Sequence, residues 1–308
     1  MVHSKTVLMA VAAFFRKLSI LYIGGLLVFA CGCDYIENPD GDGTQNPFPC
    51  LENPPAFTPR TNPVRKVLLE DFTGHRCGNC PRAGETLKAL VEANNGRVVG
   101  LALHSEFSIP FTVPMNGSKF TYDFRTSIAK AIDETFGVSA SGIPKGLVNR
   151  IPNNGSIVIS HTNWGQLVNN LLATPPDADL QIQANYTPAD SSACVFVNAR
   201  GLNVLPTTTR LVVYLTENNF INWQKDYDAP VEDIPDYNHS YILRAPVSSI
   251  WGSAIPGSTL ASGADTTLGF GIKIDPGKWN PAQLHLVAFL YNDENRQVIQ
   301  AESLPLLP

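Results

Sequence analysis

The 308-residue chain lacks any cluster of lysine and arginine, and its formal net charge is −5. Proteins that bind nucleic acid carry a basic surface that neutralises phosphates, so this composition argues against a nucleic-acid partner. The chain also lacks a P-loop, a glycine-rich dinucleotide loop, an HExxH zinc-protease motif and a GxSxG hydrolase motif. The sequence therefore predicts neither a metal site nor a bound cofactor.

The apolar run near the amino terminus is too short to span a bilayer, which takes about 20 residues. It extends from Leu18 to Ala30, follows two basic residues and precedes Cys-Gly-Cys. This pattern predicts an export signal peptide over residues 1–32. A cysteine directly after a small residue resembles the lipobox of bacterial lipoproteins, so we expect a lipid anchor on Cys33 or Cys31.

Three segments with different patterns follow the signal peptide. Residues 33–62 are rich in proline, glycine, asparagine and acidic residues without an apolar period, which predicts a flexible tether. Residues 63–175 begin with a strand–helix–strand pattern, which favours parallel strands, and residues 141–150 and 155–160 are typical of a hairpin. Residues 176–308 hold seven short apolar segments separated by proline and glycine, which predicts an antiparallel, immunoglobulin-like β-sandwich.

A CGNC motif at residues 77–80 follows the first predicted strand and opens a predicted helix. A thiolate there would be stabilised by unpaired helix N–H groups, which lower its pKa from about 8.5 to between about 3.5 and 7.5. His75 and Arg76 could add positive charge. Cys77 is then expected to be the more exposed sulfur, and Cys80, one turn later, to resolve a mixed disulfide.

Two other interpretations of the CGNC motif are a structural disulfide, which stays open, and half of a zinc site, which the rest of the sequence does not complete. Zinc needs two further ligands at short spacing, whereas Cys50 and Cys194 stand alone in the sequence. Cys194 is expected to be a buried core thiol. Cys50, in the tether, is either free or paired with a partner.

The stretch VLLEDFTGHRCGNC, followed by a helix, resembles the active-site region of the thioredoxin superfamily. Asp71 lies six residues before Cys77, where thioredoxins carry a buried carboxylate that moves a proton for the second cysteine. Pro144 follows Ile143 ahead of a strand, where the superfamily has its cis-proline. The resemblance implies an α/β thioredoxin-like domain over residues 63–175, with a central mixed sheet flanked by helices.

The same resemblance implies roles for the residues around the motif. Cys77 would attack a substrate sulfur while Asp71 moves the proton for the resolving cysteine, Cys80. Substrate-binding residues would be Ile143 and Pro144, together with His75 and Arg76 beside the motif. Cysteine-containing protein substrates or a redox partner would then be the partners of the protein.

A broader resemblance rests on CDYIENP after the signal peptide, EDFTGHRCGNCP, YNHSYILR and the terminal LHLVAFLYNDENRQVIQAE. Together they resemble the twenty-eight-kilodalton outer-membrane-protein-related lipoprotein family of Gram-negative bacteria. This implies lipidation at Cys33 and a lipid-anchored location in the outer membrane, facing the periplasm or the cell surface. Two functions are compatible with it: a thiol–disulfide oxidoreductase, or a surface interaction lipoprotein whose thioredoxin-like domain is a scaffold and whose sandwich binds partners.

Overall fold

The computed structural model describes residue 50, residues 53–255 and residues 261–307. The predicted signal peptide, Cys33 and the first part of the predicted tether lie outside the described residues. The described part of the chain belongs to one compact unit. Within these residues, no helix combines the length and the apolar character needed to cross a membrane.

The first part of the described chain alternates strands and helices. Its elements are β1 (Val67–Phe72), α1 (Cys80–Ala93), β2 (Val98–Leu103), α2 (Ser127–Phe136), β3 (Lys145–Val148) and α3 (Trp164–Leu172). β1 and β2 are parallel and connected through α1, as the sequence predicts, and β3 is antiparallel to β1. The predicted hairpin is wrong in its second arm, because residues 155–160 meet β3 only through an isolated bridge from Ile159 to Gly146.

The second part of the described chain consists of strands and no α-helix. The strands are β4 (Ala178–Thr187), β5 (Ser192–Gly201), β6 (Thr209–Glu217), β7 (Phe220–Lys225), β8 (Asp233–His239), β9 (Ile242–Pro246), β10 (Ser253–Ala254), β11 (Asp265–Lys273), β12 (Leu284–Asn292) and β13 (Val298–Pro305). All seven predicted strands are present. The sequence did not predict β7 and β8, which form a hairpin of their own, or the short β10.

One large mixed sheet combines strands from both parts, in the order β13-β12-β6-β9-β2-β1-β3, with β10 paired to β6. It continues across the predicted domain boundary between residues 175 and 176. A three-stranded sheet, β11-β5-β4, shares a buried apolar core with β6 and β12. The architecture is therefore an α/β mixed sheet with flanking helices and an added sandwich-like layer.

Strand β1 shows why the helices lie on both faces of the large sheet. Successive side chains of a strand point to opposite faces. Leu68 and Phe72 contribute to the core cluster that contains residues of α2, whereas Val67 and Leu69 contribute to the cluster that contains residues of α1 and α3. Asp71 belongs to the same set as Val67 and Leu69, which places its carboxyl group on the face of α1.

The described end of the predicted tether is bound along the sandwich layer. Cys50 forms a disulfide with Cys194 on β5, so the expectation that Cys194 is a free core thiol is wrong. The backbone carbonyl of Thr58 accepts a hydrogen bond from Gln181 on β4, and Arg60 forms an ion pair with Asp179. The segment from Ala56 to Arg60 is therefore bound to β4, in contrast to the flexible tether that the composition predicts.

Candidate functional site

The CGNC motif lies at the end of β1 that leads into α1. Cys77 and Cys80 form a disulfide with their Cα atoms 5.4 Å apart. Helix α1 begins at Cys80, so Cys77 precedes the helix and does not form its first turn. Pro81 occupies the first turn, where its missing N–H removes no helical hydrogen bond.

Both cysteines of the motif are buried. Cys77 is 2% exposed and Cys80 is 1% exposed, so neither residue is accessible in the disulfide state, and the expectation that Cys77 is the more accessible sulfur stays a prediction for the reduced state. Asn79, between them, is exposed. A thiol must reach a disulfide sulfur directly to exchange with it, so this arrangement protects the bond from external thiols.

The β7–β8 hairpin covers the motif. The backbone N–H groups of Lys225 and Tyr227 donate hydrogen bonds of 2.8 Å to the carbonyls of His75 and Gly78. The side-chain amide of Gln224 donates to the carbonyl of Cys77 at 3.2 Å and also to that of Gly74. The hairpin therefore donates hydrogen bonds to four backbone carbonyls of this loop, two of which, those of Gly74 and Cys77, also accept from the N–H groups of Cys77 and Cys80.

The ring of Tyr227 lies directly against Gly78. A Cβ atom at residue 78 would come within 2.5 Å of that ring, so the close approach requires glycine. Beyond the ring, Asp228 forms an ion pair with Arg82 of α1. Backbone, ring and charge contacts thus hold the hairpin tip over the CGNC loop.

Asp71 is a buried carboxyl group on the α1 side of β1. It is 1% exposed, and its Oδ1 atom has no hydrogen-bond partner. Burial raises the pKa of Asp71 to about 8, because an ionised carboxylate is poorly solvated there. The residue lines a cavity of about 230 Å³ together with Cys80 and, from the hairpin, Gln224, Tyr237 and His239.

Three buried histidines surround the ring of Phe124, and their proximity was not predicted from the sequence. The ring centroids of His104, His239 and His75 lie 4.7, 4.8 and 5.3 Å from that of Phe124. Burial lowers the pKa of His239 to about 3 and holds that of His104 well below its usual value. In the sequence, the only stretch that pointed to any of these three histidines was YNHSYILR, which contains His239.

His75 differs from its expected role. The side chain is fully buried against Phe120 and Phe124, and burial lowers its pKa to about 4. It is therefore neutral at pH 7 and adds no positive charge beside Cys77. Arg76 is half-buried and donates to the backbone carbonyl of Val113 at 2.9 Å.

Ile143 and Pro144 lie at the same end of β1 as the motif. Lys145 pairs with Phe72, the last residue of β1, and Pro144 directly precedes Lys145. The Ile143–Pro144 peptide bond is cis, as the sequence predicts, and both side chains are half-buried. The large sheet therefore brings this dipeptide to the edge from which the CGNC loop leaves.

A second cavity lies on the outer side of the motif. This groove, of about 640 Å³, is lined by Arg76, Lys119, Lys225 and Asp233 and by apolar or small side chains that include Phe111, Met115, Phe120 and Tyr227. Lys119 and Lys225 form ion pairs with Asp233, whereas no carboxylate of the described residues forms an ion pair with Arg76. Within the same residues, no group of three histidine, cysteine, aspartate or glutamate side chains has the geometry of a metal site.

Comparison with solved structures shows the fold. HBP35 of Porphyromonas gingivalis matches with a TM-score of 0.56 and 19% identity, covering 80% of this chain and 77% of that one. A domain of the outer membrane lipoprotein Omp28 from Porphyromonas gingivalis matches with a TM-score of 0.29 and 19% identity, covering 42% of this chain and 88% of that one.

Comparison with curated protein sequences finds no match. The model of the family described as outer membrane protein Omp28 matches residues 129–305, which is more than half of the chain. This range begins in α2 and includes β3, the whole β-rich part and the hairpin that covers the CGNC motif. The chain therefore belongs to the Omp28 family of outer membrane proteins.

Proposed function

We propose that this protein is an interaction lipoprotein of the outer membrane, in which the CGNC disulfide is a structural cross-link and the β-rich part of the chain binds partners. The observation that carries the proposal is the burial of both Cys77 and Cys80 beneath the hairpin. A partner sulfur cannot reach either atom while the hairpin is closed. Lipidation at Cys33 would attach the chain to the membrane.

The proposed binding surface lies where exposed apolar side chains concentrate. Large apolar groups that are exposed mark interaction sites when they are grouped. Of the eight such side chains in the described residues, Met115 and Tyr227 line the groove, and Phe107 and Ile109 lie close in sequence to its lining residues Pro110 and Phe111. The guanidinium of Arg76, which lines the groove and forms no ion pair with a described residue, favours a partner segment that carries both apolar and acidic side chains.

Photo-crosslinking tests the binding surface. A benzoylphenylalanine at Met115, inside the groove, should yield a discrete adduct on intact cells, whereas the same group at Val204, which is exposed but lines a different cavity, should not. Arg76→Glu should abolish the Met115 adduct by reversing the charge. Equal adduct yields from both positions, or a Met115 adduct whose yield does not change in Arg76→Glu, would contradict the assignment of the groove.

The structural role of the disulfide is tested separately. The wild-type protein should not accelerate the reduction of insulin by dithiothreitol. The Cys77→Ser/Cys80→Ser variant should have a lower free energy of unfolding than the wild type. Turnover of insulin by the wild-type chain would reject the structural interpretation.

A thiol–disulfide oxidoreductase is the second candidate, and the position of Asp71 favours it. A carboxyl group with a pKa of about 8 that shares a cavity with Cys80 could deliver a proton to the Cys80 thiolate when the disulfide breaks. Cysteine-containing proteins would be the substrates, and Ile143 and Pro144 would contact their chains. A reduction potential above about −270 mV would favour this function, whereas one below about −300 mV is typical of a structural bond.

A trapping experiment gives this second function a direct readout. Cys80→Ala should leave a mixed disulfide between Cys77 and its substrate, and Asp71→Asn should slow resolution without slowing the first attack. The Cys77→Ala variant is the matched control and should trap nothing. Failure of the Cys80→Ala variant to trap a partner leaves the interaction lipoprotein as the better account.

A further inference from the structure

The β7–β8 hairpin is attached to the rest of the molecule in an unusual way. Its two strands pair with each other and, in the described part of the chain, with no strand of the other two sheets. It leaves the large sheet after β6 and returns to it at β9. Its base packs on Phe124 through Phe220 and His239, whereas its hold on the CGNC loop is made by the contacts at its tip. A tip that is held outside the sheet ladders opens more easily than a sheet interior.

The hairpin bounds the CGNC disulfide on two sides. On the outer side, Tyr227 covers Gly78 and the N–H groups of the tip bind the loop carbonyls. On the inner side, Gln224, Tyr237 and His239 form part of the cavity that Cys80 and Asp71 line. Displacing this one element would expose both the disulfide and the buried carboxyl group.

We propose that the β7–β8 hairpin is a lid that controls the access of external thiols to the Cys77–Cys80 disulfide. With the lid open, a dithiol can attack the disulfide and supply two electrons and two protons. The Cys77–Cys80 bond breaks, each sulfur gains one proton, and the dithiol is oxidised to its own cyclic disulfide. With the lid closed, the attack has no path to either sulfur.

The lid also links the disulfide to the proposed binding groove, a part of the inference that rests on the proposed function. Lys225 and Tyr227 line the groove and also bind the CGNC loop. Opening the lid would move both residues and dismantle one wall of the groove. Because coupling is reciprocal, loss of the disulfide should in turn loosen the lid.

The rate of disulfide reduction tests the lid. The full chain is treated with dithiothreitol under native conditions, and the fraction of reduced Cys77 and Cys80 is followed by alkylation and mass spectrometry. Tyr227→Ala, which removes the ring from Gly78, should raise the rate at least tenfold. Gln224→Met, which keeps the approximate shape but loses the hydrogen bonds to the carbonyls of Gly74 and Cys77, should act in the same direction.

Ile221→Ala is the matched control, because that side chain is exposed and lies on the same hairpin in β7, away from the tip. Its reduction rate should stay within twofold of the wild type. Rates for Tyr227→Ala and Gln224→Met within twofold of the wild type would overturn the lid. So would an equal acceleration by Ile221→Ala, because the effect would then be general loosening of the hairpin.

Hydrogen exchange tests the reciprocal coupling. In the Cys77→Ser/Cys80→Ser variant, the amides of Lys225 and Tyr227 should exchange at least tenfold faster than in the oxidised wild type. The amides of Val213 and Ala288, paired in the centre of the large sheet, should be unchanged. No change at Lys225 and Tyr227, or an equal change at all four, would overturn the coupling. None of these readouts depends on a partner, so the lid and the proposed binding function fail independently.

Discussion

The buried ion pair between Glu70 and Arg150 offers the sharpest test of how the large sheet is stabilised. Both side chains are 0% exposed, and the Arg150 guanidinium donates to the two carboxylate oxygens at 2.7 and 2.8 Å. The remaining terminal nitrogen of Arg150 has no hydrogen-bond partner. The guanidinium also lies over the rings of Phe136 and Phe289, at 5.2 and 5.1 Å from their centroids.

Removing one partner leaves the other charge buried and unpaired, which costs about 3–5 kcal/mol. Glu70→Leu and Arg150→Met should each lower the free energy of unfolding by that amount. The double variant replaces the pair by apolar groups of similar size, so it should fall within about 1 kcal/mol of the wild type or be more stable. The two single effects should therefore be strongly non-additive.

The assay is urea unfolding followed by circular dichroism and tryptophan fluorescence, with the disulfides kept oxidised. Lys88→Gln is the control, because Lys88 forms only an exposed pair with Glu92 on the surface of α1, and it should leave the midpoint unchanged. Single variants that each lose less than about 1 kcal/mol would refute the reasoning, since they would show that water reaches the pair. Additive single effects would refute it as well.

Three further predictions concern other parts of the molecule. Replacing Cys50 and Cys194 by serine opens a loop of 144 residues and should lower the free energy of unfolding by up to about 5 kcal/mol on the chain-entropy account, measured by urea unfolding without reductant. The pKa of Asp71 is about 8 in the folded chain and 3.8 in its ordinary state. Its contribution to stability is therefore full below pH 3.8 and is lost as the pH rises to about 8. In parallel thermal melts, the stability of Asp71→Asn relative to the wild type should increase with pH across that range. Gly146→Ala should cost at least about 1–3 kcal/mol, because the new Cβ would lie 2.5 Å from a backbone oxygen, whereas Gly165→Ala, with its nearest neighbour at 3.9 Å, should be neutral or stabilising.

The elements that sequence reasoning identified are those encoded by local pattern. The apolar run of β1 and the three- and four-residue spacing in α1 each follow from one short stretch. The burial of Asp71 could be inferred because it lies in a short strand whose other members include Val67, Leu68, Leu69 and Phe72. These features depend on residues that are close in sequence, so no knowledge of the fold is needed to recognise them.

The features that were missed depend on contacts between distant parts of the chain. The strands of the hairpin are only partly buried and lack a regular apolar alternation. In addition, β8 contains Pro235, and a proline within a segment argues against predicting a strand there. The contacts of the hairpin are with a loop about 150 residues earlier. Pairing of Cys50 with Cys194 is likewise invisible in the spacing, and His75 is buried only because Phe120 and Phe124 fold over it.

Asp71 and the histidines under the hairpin affect the closed lid in opposite directions as the pH changes. In the closed state Asp71 is protonated up to about pH 8, while His239 stays neutral down to about pH 3. Opening would return both groups to water and towards pKa values of 3.8 and 6.5. Asp71 then favours opening increasingly as the pH rises from 3.8 to about 8, whereas His239 and His104 favour opening increasingly as it falls below 6.5. The closed hairpin is consequently most favoured near pH 6.5, the ordinary pKa of histidine. At that pH the cavity holds a protonated Asp71 and neutral histidines, so the closed hairpin buries no charge on these groups.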